Sequence, residues 1–146
     1  MGIWGALFLI YVQMSHCELP TSCDVLFMGE SYRDLIVWRK GMQLVTEIYR
    51  ATRLFPRDET YGLTSQLRRA AVSVPSNIAE GQAHFSQKEF HRFLSHARGS
   101  LVEIETQIMI AGNLGYLSIH QARALLDKTA EVGRMLNGLI ASTRAA

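Results

Sequence analysis

From Asp34 to about Ser142, apolar side chains return every three or four residues, the spacing that lines one side of an α-helix. Four segments follow from it. The first runs from about Asp34 to Arg53, spaced by Leu35, Val37/Trp38, Met42, Val45 and Ile48/Tyr49. Phe55-Pro56 closes it, because a residue before proline is pushed out of helical dihedrals. The second opens near Asp58-Glu59, where acidic side chains suit the positive end of a helix. Leu63, Leu67, Ala70/Ala71, Val74 and Ile78 form its buried strip. Pro75 removes one backbone donor and predicts a kink near Ala71–Val74, and Gly81 is the expected end, with fraying toward His84.

The third segment starts at Ser86-Gln-Lys-Glu89 and the fourth at Ser118-Ile-His-Gln121, both with the spacing of a capping box. Phe90, Phe93/Leu94, Ala97, Leu101, Ile104 and Ile108 line the third, which stops at Gly112-Asn-Leu-Gly115. Ala122, Leu125/Leu126, Val132, Leu136 and Leu139/Ile140 line the fourth. No stretch alternates with period two for long enough to make a sheet. The connections are short, so the pattern predicts an all-α, antiparallel up-down-up-down four-helix bundle.

Two polar strips interrupt this plan. Gln66, Arg69, Ser73, Asn77 and Glu80 recur at steps of three and four on the second segment. Glu89, His96, Ser100, Glu103 and Gln107 recur on the third, with one step of seven. Each strip lies about 90–120° from its own helix's apolar strip. A solvated face usually mixes Lys and Glu, whereas these carry amides, hydroxyls and a few charges, which suits a hydrogen-bonded seam. One unpaired buried member would cost about 1–3 kcal/mol. The expected seam brings Arg69, Asn77 and Glu80 against Ser100, Glu103 and Gln107, within a subunit or across an oligomer contact. Gly99 and the small Ser73, Ala97 and Ser100 would let the helices approach closely.

Composition leaves this picture standing. The 146 residues suit one domain with a real core, and 48% apolar with 19% charged residues argues against disorder. All fifteen Lys and Arg lie at or after Arg33, while two of the thirteen acidic residues, Glu18 and Asp24, precede Met28. From Met28 onward the surplus is therefore four positive charges, which permits contact with nucleic acid without demanding it.

Residues 1–27 form a leader unlike the domain from 28 to 146. Ile3 to Val12 is an unbroken apolar run, too short for the roughly 20 residues that span a bilayer. It reads as an over-extended start with translation beginning at Met28, as a secretory signal with Ser15 and Cys17 near the cleavage site, or as an appendage. No Lys or Arg precedes the run, which counts against the signal. A cytoplasmic location follows unless residues 1–17 are a true signal, in which case the chain is secreted. Cys17 and Cys23 both lie in the leader, so the domain has neither a disulfide framework nor a cysteine metal site.

The chain is poor in catalytic patterns. No Asp or Glu has a His three residues later, no His-x-x-x-His occurs, and no serine sits in a Gly-x-Ser-x-Gly elbow. Gly112–Gly115 lacks the Lys and Ser/Thr of a phosphate-binding loop. No catalytic residue, metal, cofactor or small-molecule substrate is implied, and no membrane for the domain. Two basic clusters remain: Arg68-Arg69, and Lys88, His91, Arg92, His96 and Arg98. Arg68, Lys88, His91, Arg92 and Arg98 are the candidate phosphate contacts, with a solvated face as the plain alternative.

Three runs are distinctive together: Leu35-Ile-Val-Trp-Arg-Lys40; Gln66-Leu-Arg-Arg-Ala-Ala-Val-Ser73 leading to Asn77-Ile-Ala-Glu-Gly81; and Ala97-Arg-Gly-Ser-Leu-Val-Glu103. The chain from about Tyr32 to Arg144 resembles the bacterial four-helix-bundle family first described from intervening sequences in 23S ribosomal RNA genes. That family is related to the accessory variability protein of diversity-generating retroelements. The resemblance implies a homopentameric ring with no known enzymatic activity. In the retroelement relative, a basic ring surface contacts RNA and a reverse transcriptase. The family's signature positions fall on Gln66, Arg69, Ser73, Asn77, Glu80, Gly81, Ser100 and Glu103, largely the polar strips. The expected function is an oligomeric helical scaffold that binds structured RNA or a nucleic-acid enzyme such as a reverse transcriptase. The alternative is a protein–protein adaptor with no nucleic-acid role.

Overall fold

The computed structural model describes residues 31–84 and 86–144, and the leader lies outside them. Four α-helices account for most of these residues: α1 (Ile36–Ala51), α2 (Leu63–Ala83), α3 (Gln87–Asn113) and α4 (Ile119–Arg144). Among the described residues there is no strand. Single 3-10 turns at Tyr32–Asp34, Thr52–Leu54 and Arg57–Glu59 flank α1 and lead into α2. Consecutive helices pack against one another and α1 also packs against α4, a set of contacts consistent with a bundle.

The apolar strips meet in one core. Ile48 of α1, Leu67, Val74 and Ile78 of α2, Leu94, Ile104 and Ile108 of α3, and Val132 and Leu136 of α4 are almost wholly removed from water. Each such aliphatic side chain is worth about 1.5–3 kcal/mol relative to exposure. Thr129, also fully buried, satisfies its hydroxyl on the carbonyl of Leu125 at 2.8 Å.

The helix ends show which signals acted. At Ser118 the capping box closes both ways. The Ser118 N–H donates to Gln121 Oε1 (2.9 Å) and the Gln121 N–H to Ser118 Oγ (3.2 Å). At Ser86 the serine half forms, with the Glu89 N–H on Ser86 Oγ, while the Glu89 carboxylate accepts from Arg92. At the end of α3, Gly115 takes φ +73° and the N–H of Tyr116 donates back to the Ala111 carbonyl (2.9 Å). With Gly115 N–H on Gly112 O, this is a Schellman motif.

The second helix begins later than its acidic pair predicts, because Glu59 acts from outside it. One carboxylate oxygen accepts the Leu63 N–H at 2.8 Å and the other the Tyr116 hydroxyl at 3.2 Å. Asp58 and Glu59 thus lie in the preceding turn. Pro75 is buried inside a helix that continues to Ala83, between Gly81 and His84 as expected.

Candidate assembly and nucleic-acid surfaces

The α2–α3 contact is set by the size of one residue. A Cβ added at Gly81 would stand 2.7 Å from Phe93 Cβ and 3.0 Å from Phe90 Cδ2. The close approach expected of Gly99 is made here instead, since a Cβ at Gly99 would meet nothing within 4 Å. Farther along the same contact, Ser73 Oγ and Ser100 Oγ share a hydrogen bond of 2.5 Å. That bond joins the two polar strips across the helices.

The remaining hydrogen bonds of the strips run within a helix. Asn77 Nδ2 donates to the Ser73 carbonyl at 2.7 Å, and Gln107 Nε2 to Glu103 Oε1 at 3.0 Å. Ser73, Asn77 and Ser100 are half-buried, whereas Gln66, Arg69, Glu80 and Glu103 are exposed. Among the described residues no side-chain hydrogen bond or ion pair engages Arg69 or Glu80. Gln107 is buried, yet its Oε1 has no partner. Within one chain the seam is therefore begun by two serines and left open on both sides of them.

The candidate cations separate into two places. Lys88, His91, Arg92 and Arg98 all lie on α3, with Lys88, Arg92 and Arg98 exposed and His91 half-buried. Arg92 is engaged by Glu89 at 2.7 and 3.0 Å and lies 4.8 Å from the Phe93 ring centre. Among the described residues no carboxylate pairs with Lys88 or Arg98. Arg68 stands apart from this group. Its Nε donates to Thr52 Oγ1 at 2.8 Å, and its guanidinium sits 4.8 Å from the centre of the Tyr49 ring. There it joins Arg50, Arg53 and Arg69 around a depression between α1 and α2. The sequence reading missed Arg50 and Arg53. Their signal was the step of three that sets both beside Tyr49 on the first helix.

Two ionisable groups are displaced from their ordinary behaviour, and both are fastened to another element. Partial burial and the Glu59 hydrogen bond push the Tyr116 hydroxyl up. The hydrogen bond from Lys40, 2.8 Å away, holds Glu131 down. Neither lies beside a candidate nucleophile, and among the described residues no group of three or more His, Cys, Asp or Glu side chains could hold a metal ion. No described helix is long and apolar enough to cross a membrane. What the surface offers chemically is hydrogen bonding, cationic contact and apolar burial.

Comparison with known proteins places this geometry in context. Residues 33–138 match the family model described as 23S rRNA-intervening sequence protein. No curated protein matches the chain. Among solved structures, the chain is similar to a protein of unknown function from the S23 ribosomal protein family of Bacteroides thetaiotaomicron. The two share 20% identity over 72% of this chain and 98% of that one, with a TM-score of 0.67. At that identity the likeness bears on the fold alone.

Proposed function

Since the chain belongs to the 23S rRNA-intervening sequence protein family, we propose that it acts without catalysis, as a self-associating helical scaffold in the cytoplasm that contacts structured RNA. The open α2–α3 seam is the observation that carries this reading. Gln107 Oε1 is buried without a partner, and Arg69 and Glu80 project unpaired from α2 at other levels of the strips. The exposed Arg69 and Glu80 keep hydrogen-bonding groups open to a second copy, and a charge-assisted hydrogen bond of this kind contributes about 1.5–3 kcal/mol. Five copies in a ring is the expected state by the family resemblance.

The antiparallel up-and-down arrangement belongs to this reading. Ser73 meets Ser100 while Gly81 meets Phe93, and Lys40 meets Glu131 while Glu47 meets Lys128, each set running in opposite senses. Lys88 and Arg98, exposed and unpaired on α3, supply the phosphate contacts, and side-by-side copies would multiply them.

Two measurements test the proposal. Sedimentation velocity on the purified chain should give a mass several times 16.4 kDa; a monomer at all concentrations overturns the scaffold. Titration into a labelled structured RNA should give a salt-dependent mobility shift that Lys88→Glu with Arg98→Glu weakens. A chain that assembles but shifts no RNA would be an adaptor without a nucleic-acid role.

A further inference from the structure

Along the outer face of α2, sharing Ser73 and Arg69 with its polar strip, three shallow depressions join into one groove between α1 and α2. All three share Val72, two share Tyr49 and two share Val45. The groove floor is apolar: Val72, Met42 and Tyr49 are exposed to 41%, 43% and 41%, and Pro75 and Trp38 continue it. On α2 it runs from Thr64 to Ala79, about 22 Å or four helical turns.

Charge is distributed unevenly along it. Arg50, Arg53, Arg68 and Arg69 line the end nearest the α1–α2 connection, and among the described residues no Asp or Glu lines the groove. Arg50 is offset by Glu47 at 2.9 Å, and Arg68 is spent on Tyr49 and Thr52. Arg53 and Arg69 are exposed with no carboxylate beside them.

We infer that this groove docks an amphipathic helix of a partner protein, whose apolar stripe lies on Val72 and Val45 and whose acidic end faces Arg53 and Arg69. Length, apolar floor and one-sided charge are what such a helix requires. Single-stranded RNA fits less well. Base stacking needs open aromatic faces, whereas Arg68 lies over Tyr49, and Tyr32 packs edge-on against Trp38 at 5.1 Å between centroids. The aliphatic stretch between the two rings offers a base nothing to stack on. The inference stands apart from RNA binding by α3, and it draws on Arg69 at the edge that the groove shares with the polar strip of α2.

The probe is a fluorescein-labelled 15-residue helical peptide with leucines at positions i, i+4, i+7 and i+11 and four glutamates at one end. Its counterpart carries lysines for the glutamates. Fluorescence anisotropy with the full chain should show saturable binding of the acidic peptide and at least tenfold weaker binding of the basic one. Val72→Glu, at an exposed position, should weaken the acidic peptide at least tenfold with an unchanged circular dichroism spectrum. Arg53→Glu with Arg69→Glu should do the same and abolish the salt dependence. The inference is overturned if both peptides bind alike, if neither binds saturably, or if Val72→Glu leaves binding intact. It is also overturned if a single-stranded RNA displaces the acidic peptide competitively, or if a peptide of residues 1–15 binds the groove more tightly. Loss of self-association in Val72→Glu would assign the groove to a second copy and overturn it as well.

Discussion

Adding one methyl group at Gly81 should destabilise the protein, and adding the same group at Gly138 should do the reverse. The new Cβ at Gly81 would lie 2.7 Å from Phe93 Cβ, an atom fixed to the α3 backbone, and 3.5 Å from the Phe90 carbonyl oxygen. Rotating a side chain cannot relieve the first contact, so α2 and α3 must move apart. Overpacking of this kind costs about 1–3 kcal/mol. Alanine returns about 0.8–1 kcal/mol over glycine in a helix interior. The movement also stretches the Ser73–Ser100 bond, which lies farther along the same contact. A net loss of about 1–2 kcal/mol follows, a drop in midpoint of about 4–8 °C for a domain of this size. At Gly138 a Cβ meets nothing within 4 Å, so only the helical gain remains and stability should rise by about 0.5–1 kcal/mol. Urea titration followed by circular dichroism at 222 nm measures both variants against the parent. If Gly81→Ala is as stable as Gly138→Ala, helix spacing is not set at Gly81 and the argument for the α2–α3 contact fails.

Two further outcomes are expected. A double-mutant cycle of Ser73→Ala and Ser100→Ala should give a coupling of about 0.5–1.5 kcal/mol in urea unfolding; additive effects would mean the hydroxyls do not sense each other. Glu131 is held below the ordinary glutamate value of 4.5, chiefly by the hydrogen bond from Lys40, so its stabilising contribution is present above that value and is lost as pH falls through its lowered folded value. Glu131→Gln should therefore flatten the fall in urea midpoint between pH 5 and about pH 3; an unchanged slope would show that the pair carries no pH dependence.

What the chain discloses in linear form depends on how local the signal is. The caps at Ser86 and Ser118 and the stop at Gly115 act over three to five residues, and each was legible. Gly81 has the same letter as Gly115 but a different task. It lies near the end of α2, as its letter suggests, and it also serves the rings of α3. Nothing within five residues of Gly81 announces Phe93. Asp58-Glu59 misled for a related reason. Acidic residues favour a helix start from inside the first turn or from just before it, and the decision rested on Tyr116, 57 residues away. Arg68 and Arg69 line one depression as neighbours, although on a helix they stand about 100° apart. One faces Tyr49 and Thr52, and the other is exposed. The grouping of Arg68 with the α3 cations therefore dissolved when the chain folded, and the grouping with Arg50 and Arg53 took its place.

The two oxygens of Glu59 belong to the joint between the first helical hairpin and the second. One secures the start of Leu63, and the other reaches the turn that follows Asn113. Shortening this side chain by one methylene leaves it able to serve either hairpin but not both. The loss would surface as a looser hold between the turn at Tyr116 and the start of α2, while the shared core keeps the hairpins in register.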